Sequence, residues 1–131
     1  MAQKEANIWM FGNFAGLDFN TSPPTATTSS KMKALEGCAS IADSDGNLLF
    51  YSNGKTVWNN NHSIMLNGES LNGHLSTTQS CIIVKKPKSQ DIYYLFTVGS
   101  FGEEAGLSYS EVDASLNNGH GIVRNPKNIQ L

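Results

Sequence analysis

Two segments of this 131-residue chain repeat one order of apolar and polar positions. Residues 38–51 run from an apolar segment through a polar turn into a segment rich in aromatic and branched side chains. About 43 residues later, residues 80–96 follow the same order. A period of roughly 40–45 residues made of short strands is typical of the four-stranded blades of β-propellers. Because one blade cannot bury its own faces, the pattern predicts several stacked blades or part of a larger stack.

Alternation and turn residues locate the individual strands. Asp45-Gly46 and Asn53-Gly54 are strong turn signals, because glycine adopts positive φ at little cost. Apolar and polar residues alternate in residues 107–112, which suits a strand with one buried face. We predict antiparallel strands near residues 38–42, 47–52, 80–85, 91–98 and 106–112.

These strands predict an all-β fold of antiparallel four-stranded blades, arranged as a partial β-propeller of about two to three blades. Residues 1–131 would form one all-β module that belongs to a larger propeller. The first blade would cover about residues 38–66 and the second about residues 80–124. The alternative is a small β-sandwich in which two sheets cover each other.

The repeat also predicts which side chains are equivalent. Phe50 and Phe96 follow the polar turn of each copy, so we expect them to occupy similar, buried positions in successive sheets. A stack too short to close would leave two open faces, which predicts self-association or docking against the remaining blades. We expect these faces to carry side chains of the kind represented by Trp9, Trp58, Tyr93 and Leu95.

Charge and hydropathy exclude some partners. The net charge is −2 and the longest basic run is Lys85-Lys86, so we expect no nucleic-acid partner. No apolar stretch approaches the roughly 18 residues of a membrane-spanning helix, so we expect no membrane span. Residues 1–6 lack the apolar core of a signal peptide. The chain is therefore either a mature secreted protein whose leader was replaced by methionine, or a cytosolic protein.

The polar turn of the first copy has some features of a calcium loop. Asp43, Asp45 and Asn47 stand at alternate positions, from which oxygen ligands can converge on one cation. Such a loop also needs glycine at its sixth position and glutamate at its twelfth. Here Gly46 comes too early and Gly54 occupies the twelfth position. The incomplete spacing favours a turn in which these side chains cap backbone amides, so we predict no metal and no cofactor.

The connection before the second copy carries the candidate ligand-binding residues. In a propeller, a loop that enters an innermost strand lies at the mouth of the central channel, where ligands commonly bind. An imidazole beside hydroxyls and an amide can hydrogen-bond a sugar or a peptide. The alternative is that these groups satisfy backbone atoms where the chain crosses between blades. The candidates are His74, Ser76, Thr77 and Gln79.

Two further groups of residues have open interpretations. Cys38 and Cys81 hold equivalent places in the two copies, so they form either a disulfide between neighbouring inner strands or two small buried side chains. Five aromatic residues could form a sugar-stacking platform, or they could fill the cores between blades. They are Trp9, Trp58, Tyr93, Tyr94 and Phe96.

Catalytic signals are weak. The sequence contains no nucleophile-elbow motif, phosphate-binding glycine loop or zinc-protease motif, so we predict that the chain is not an enzyme. Glu103 and Glu104 could be considered as an acid–base pair, but adjacent side chains on an extended chain point apart.

An ordered series of segments resembles the N-terminal, propeller-like region of large secreted surface proteins of gliding, Bacteroidetes-type bacteria. Proteins of this kind often carry a sorting domain for type IX secretion. The resemblance implies a secreted or cell-surface location, and it supplies no catalytic residues. The segments that carry it are residues 7–13, 15–20, 35–41, 46–51, 56–59, 65–68, 78–80, 92–97, 112–113, 116–117 and 119–123.

Our first functional hypothesis is a non-catalytic secreted or cell-surface β-propeller module for adhesion, recognition or assembly, with a protein or carbohydrate ligand. The alternative is a fragment of a propeller-type carbohydrate-active hydrolase. Two carboxylates about 5–10 Å apart at the channel mouth would favour the enzyme. A third hypothesis is a structural subunit whose exposed blade faces dock neighbouring subunits.

Overall fold

A computed structural model describes residues 3–100 and 106–131 and shows an all-β chain. Its strands form three antiparallel sheets, which we call the N-terminal, central and C-terminal sheets. The N-terminal sheet has the order β1-β2-β3. Its strands are β1 (Ile8–Phe11), β2 (Ala15–Asp18) and β3 (Thr25–Thr27).

The central sheet has the order β4-β5-β6 and begins with the predicted hairpin. Gly46 lies in the turn between its first two strands at φ +90°, a region that side chains disfavour. A Cβ atom at this position would also come within 2.2 Å of the Asn20 side-chain oxygen, so a larger residue would displace Asn20 as well as strain the backbone. The strands are β4 (Ala39–Ala42), β5 (Leu48–Ser52) and β6 (Val57–Asn59).

The C-terminal sheet is the largest, with the order β10-β9-β8-β7 and with β11 also paired to β9. A single turn, α1 (Leu116–Gly119), connects β9 to β10, and Asn117 and Asn118 have positive φ within it. The strands are β7 (Cys81–Lys85), β8 (Ile92–Val98), β9 (Leu107–Asp113), β10 (Ile122–Val123) and β11 (Ile129–Gln130).

The three sheets stack through two apolar cores, one on each side of the central sheet. Tyr51 and Trp58 of the central sheet stack at 5.6 Å within the core shared with the N-terminal sheet. On the other side, Phe50 meets Tyr93 of the C-terminal sheet edge-on at 5.6 Å. The side chains of β5 therefore alternate between two neighbouring sheets, as the period of two along a strand requires.

The first strands of the sheets lie side by side, with β4 between β1 and β7. A serine hydroxyl bridges each junction. Ser40 donates to the Ile8 carbonyl at 2.9 Å and accepts from the Met10 amide at 3.1 Å. Ser80 donates to the Gly37 carbonyl at 2.6 Å. The sheets thus fan out from a line of first strands.

The all-β prediction is confirmed, and the five predicted strands are present with ends within one residue. The prediction of four-stranded blades is wrong. Among the described residues the sheets contain three, three and five strands, and none closes into a ring. Residues 63–66 form no strand and make only two isolated bridges, from Ile64 to Trp58 and from Leu66 to Ile122. The two-sheet sandwich is not found either, because a third sheet covers the central one.

The prediction that Phe50 and Phe96 are both buried is right for Phe50 and wrong for Phe96. Both side chains face the same direction in the stack. Phe50 pairs across strands with Ile41 of β4, and Phe96 pairs with Ile82 of β7. Phe50 is 0% exposed because the C-terminal sheet covers it, whereas solvent reaches Phe96 because no described sheet follows. The sequence repeat identifies equivalent positions, but burial depends on the neighbouring sheet.

The predicted composition of the open faces is partly wrong, again because burial depends on the neighbouring sheet. Trp9 is 51% exposed and does lie on an open face. Trp58, Tyr93 and Leu95 do not, because each points into one of the two cores between sheets. In the part of the chain that the structure describes, no helix is long and apolar enough to cross a membrane.

The unequal covering of the two phenylalanines is testable. Phe50→Ala should lower the free energy of unfolding by about 3–5 kcal/mol, because the ring is fully buried. Phe96→Ala should cost less than about 2 kcal/mol, because its ring is partly hydrated before the change. Urea unfolding followed by circular dichroism, at a concentration where sedimentation shows a single chain, measures both. Equal losses at the two positions would contradict this arrangement of sheets.

Candidate functional site

The loop predicted to bind a ligand mainly satisfies its own backbone. The His74 amide donates to the Val98 carbonyl at 3.1 Å, and its Nδ1 accepts from the Ser76 amide at 3.1 Å. The Thr77 hydroxyl points to the Gly99 carbonyl at 3.5 Å. These contacts fix the crossing from the central to the C-terminal sheet.

A cleft of about 560 Å³ lies beside this crossing, where β4 and β7 approach each other. Gln79 lines it, but His74, Ser76 and Thr77 do not. The volume falls in the range of about 300–1,000 Å³ that is usual for small-molecule sites. The lining residues are Glu36, Gly37, Cys38, Ala39, Thr78, Gln79, Cys81, Ile82, Phe96, Val98 and Leu107.

The cleft has a polar rim and an apolar wall. At the rim, the Thr78 hydroxyl donates to the Glu36 carboxylate at 3.1 Å, and the Gln79 side chain is exposed. The wall consists of Ile82 and Phe96 together with other apolar side chains of the C-terminal sheet. This combination suits a ligand with one apolar side and a few hydrogen-bonding groups.

Most of the residues that line the cleft were not predicted from the sequence as ligand-binding residues. The wall residues were detectable as the outward-facing set of the alternating strands β8 and β9. Glu36 and Thr78 had no local signal, because they meet only when the central and C-terminal sheets are placed side by side.

A second cavity of about 250 Å³ lies on the other side of β4, against the N-terminal sheet. Cys38 and Ala39 line both cavities, so the two spaces flank the same strand. Trp9 and Phe11 provide the aromatic part of its wall. The line of first strands therefore carries a recess at each of its two junctions.

Both cysteines are free thiols, so Cys38 and Cys81 do not form a disulfide. Cys38 Sγ lies 3.7 Å from the Met10 carbonyl oxygen, and Cys81 Sγ lies 3.4 Å from the Ser52 carbonyl oxygen. Burial raises the pKa of Cys38 and raises that of Cys81 to about 11. The thiolate is the reactive form, so both side chains are weak nucleophiles at neutral pH.

The C-terminal sheet turns an uncovered apolar surface outwards, continuous with the wall of the cleft. Ile82 is 59% exposed, and Tyr94, Phe96 and Tyr109 pack with their ring centroids 5.6–6.0 Å apart. We call this surface the outer C face; it consists of Ile82, Val84, Tyr94, Phe96, Leu107 and Tyr109.

Ion pairs border the outer C face along one edge. Lys86 Nζ lies 2.5 Å from Glu111 and 5.4 Å from the centre of the Tyr94 ring. Arg124 bridges Glu111 at 3.6 Å and Asp113 at 2.6 Å. Burial acts to raise the pKa of Asp113, but hydrogen bonds from Ser115 and the Arg124 guanidinium bring it below its usual value. The Asp113 carboxylate is therefore held ionised and paired with Arg124.

The N-terminal sheet exposes a second apolar surface at the opposite end of the stack. Trp9 and Phe19 pack with their centroids 4.9 Å apart, and the Trp9 indole donates to the Ala6 carbonyl at 2.9 Å. We call this surface the outer N face; it consists of Trp9, Phe11, Ala15, Leu17 and Phe19.

The five aromatic residues considered as a sugar platform are separated by the fold. Trp9 lies on the outer N face, while Tyr94 and Phe96 lie on the outer C face. Trp58 and Tyr93 fill the two cores. Glu103 and Glu104 lie outside the described residues.

The calcium-like sequence forms a capped turn. Asp43 accepts from the backbone amides of Asp45 and Asn47, each at 2.9 Å, and from the Asn47 side chain at 3.0 Å. Burial acts to raise the pKa of Asp43, but these hydrogen bonds hold it below its ordinary value. Across residues 3–100 and 106–131, no three acidic, histidine or cysteine side chains group as metal ligands.

His62 takes part in packing far from the cleft. Its Nδ1 lies 3.0 Å from the Tyr51 hydroxyl, which also accepts from the Lys31 amide at 3.1 Å. In the tautomer with an unprotonated Nδ1, the hydroxyl donates to Nδ1 while its oxygen accepts from the Lys31 amide. Burial, with a smaller contribution from the nearby Lys31, lowers the pKa of His62.

No protein-family model matches the chain, and neither a curated protein nor a solved structure matches it. The interpretation of the cleft and the two outer faces therefore rests on their own chemistry.

The capped turn gives one prediction. Asp43→Ala should destabilise the fold by about 1–2 kcal/mol, since two backbone amides lose their acceptor. Calcium should leave the melting temperature of the wild-type chain unchanged, because the carboxylate is already engaged by the turn. Thermal unfolding with and without calcium tests both statements. A calcium-dependent rise that Asp43→Ala abolishes would overturn the assignment.

The His62–Tyr51 contact predicts a pH dependence. Folding lowers the pKa of His62, so the neutral imidazole stabilises the folded state. This contribution to the unfolding free energy is fully present above the ordinary pKa of 6.5 and is lost as the pH falls below that value. His62→Asn should remove this dependence, since asparagine tolerates the positive φ of 64° at this position. The unfolding free energy measured across the range is the readout. Parallel pH curves for wild type and variant would contradict the assignment.

Proposed function

We propose that this chain is a non-catalytic β-propeller module, secreted or held at the cell surface, that serves in recognition and thereby in adhesion or assembly. The resemblance to surface proteins of gliding bacteria supports the location, and the fan of three sheets supports the propeller. The ligand would be a protein or carbohydrate segment of the cell surface.

The observation that carries this proposal is the cleft between the first strands of the central and C-terminal sheets. In the proposed propeller the first strands would line the central channel, so this cleft would open towards that channel. Its rim offers the Glu36 carboxylate, the Thr78 hydroxyl and the Gln79 amide, and its wall offers Ile82 and Phe96. Hydrogen-bonding groups above an apolar wall can orient an extended peptide or a sugar.

The charge of the rim narrows the kind of ligand. Glu36 is the one carboxylate among the described lining residues, and no lysine or arginine lines the cleft in the described part of the chain. An anionic ligand would therefore meet a negative group without a compensating cation. We infer that the ligand is neutral or cationic at the point where it meets this rim.

The carbohydrate-active hydrolase would need two carboxylates with different proton affinities at the cleft. Glu36 lines it without a second acid among the described residues. Glu111 and Asp113 are near each other, but both are paired with Arg124 at another edge of the sheet. The described geometry therefore favours binding over hydrolysis.

Retention of the purified chain on intact cells of a gliding, Bacteroidetes-type bacterium tests the proposal. Gln79→Arg places a long cationic side chain at the rim and should reduce retention at least tenfold. Gln90→Arg is the matched control, because Gln90 is also an exposed glutamine but does not line the cleft. Flow cytometry of the labelled chain provides the readout.

Two outcomes would reject the proposed function. One is a wild-type chain that the cells do not retain above an unrelated control protein. The other is an equal loss for Gln79→Arg and Gln90→Arg, which would indicate non-specific adsorption sensitive only to charge.

A further inference from the structure

Four asparagines in this chain directly precede a glycine. They are Asn53, Asn67, Asn72 and Asn118. In an Asn-Gly pair the backbone nitrogen of the glycine can attack the side-chain amide carbon of the asparagine, because glycine has no side chain to obstruct the approach. All four pairs lie among the described residues, and their surroundings differ.

The Asn53 pair is held by hydrogen bonds on both reacting groups. Asn53 Oδ1 accepts from two backbone amides at 3.1 Å and 3.0 Å, and Nδ2 donates to the Lys33 carbonyl at 3.0 Å. The attacking nitrogen, that of Gly54, donates to the Ser52 hydroxyl at 3.0 Å. Asn53 and Gly54 are both buried, so the pair is also shielded from water.

The Asn67 and Asn72 pairs are restrained in the same way. Asn67 Nδ2 donates to the Val123 carbonyl at 2.9 Å, and Asn72 Nδ2 donates to the Ser108 hydroxyl at 3.3 Å. In each pair the nitrogen of the following glycine donates to a backbone carbonyl, at 2.8 Å and 3.0 Å respectively. Both glycines are buried, and a Cβ atom at either would meet backbone atoms within 3.0 Å. Neither pair has room to rearrange without local opening of the fold.

The Asn118 pair lies in the turn α1 between β9 and β10 and lacks these restraints. Asn118 and Gly119 are both exposed, and a Cβ atom at Gly119 would meet nothing within 4 Å. The Asn118 side chain makes no hydrogen bond with the described part of the chain. Asn118 has φ 55° and ψ 35°, so the attack requires rotation about its Cα–C bond. Because the turn is exposed, this rotation displaces no packed neighbour.

We propose that Asn118 is a site of spontaneous deamidation in the folded chain, and that the fold protects the other three Asn-Gly pairs. The Gly119 nitrogen bonds to Asn118 Cγ, its proton passes to the side-chain nitrogen, and ammonia leaves a succinimide ring. Water then adds to one of the two ring carbonyls and opens the ring, which gives aspartate or isoaspartate. Neither residue lines the cleft of the proposed function.

The products would alter the contact between this turn and Asn60. Asn60 Nδ2 donates to the Gly119 carbonyl at 3.1 Å, and Asn60 Oδ1 lies 2.8 Å from His120 Nδ1. Either product adds a negative charge beside this contact. Isoaspartate also adds one methylene to the main chain between residues 118 and 119. The modification therefore changes the link between α1 and the turn that follows β6.

Peptide mapping of the purified chain during incubation at mildly alkaline pH provides the test. Trypsin releases Asn118 in the peptide that ends at Arg124, apart from the other three Asn-Gly pairs. Tandem mass spectrometry then distinguishes Asn118 from Asn117. Asn117 is the matched control, because it is exposed in the same turn but precedes an asparagine instead of a glycine. A parallel incubation in urea removes the fold and leaves the four Asn-Gly sequences equally accessible.

We expect Asn118 to convert at least about tenfold faster than Asn53, Asn67 or Asn72 in the folded chain, since those three must first break hydrogen bonds. In urea the four rates should converge. Three outcomes would overturn the inference: conversion of Asn118 no faster than Asn117, another Asn-Gly pair that converts as fast as Asn118 in the folded chain, or the same ranking in urea. The last would indicate that local sequence, and not the fold, sets the rates.

Discussion

Burial of sheet faces by neighbouring sheets is the constraint on which this structure depends. A three-stranded sheet such as β4-β5-β6 has two faces and no means of covering either by itself. Its strand β5 turns Phe50 to one neighbour and Tyr51 to the other, and both are 0% exposed. The edge-on contact of Phe50 with Tyr93 and the stacking of Tyr51 on Trp58 hold the two junctions. Both cores depend on this one strand, so the central sheet couples the other two.

The polar contacts of the line of first strands complement these cores. Ser40 and Ser80 bridge backbone groups that no strand pairs, and a buried unpaired carbonyl or amide would be costly. Small side chains at these positions let the first strands approach one another. The same close approach leaves the cleft on one side of β4 and the smaller cavity on the other. The candidate site is thus a consequence of how the sheets meet, rather than of any single loop.

This explains which features the sequence could predict. The hairpin at Gly46 and the alternation of β8 and β9 are local, so strand positions and the all-β class followed from them. The relation between Phe50 and Phe96 followed from the repeat. The number of strands in each sheet could not be predicted, because β11 pairs with β9 only after the whole C-terminal segment has folded back onto the sheet. The side of each sheet that meets solvent, and the meeting of Glu36 with Thr78, depend on contacts between distant segments and have no local signal.

The uncovered pair of Ile82 and Phe96 places a physical requirement on any protein surface that completes the stack. It must bring apolar, preferably aromatic, side chains opposite Phe96, as Tyr93 does for Phe50, and it must leave the salt bridges of Arg124 hydrated or paired. A surface that meets the first condition but buries Arg124 without Asp113 would lose more in desolvation than it gains in contact area.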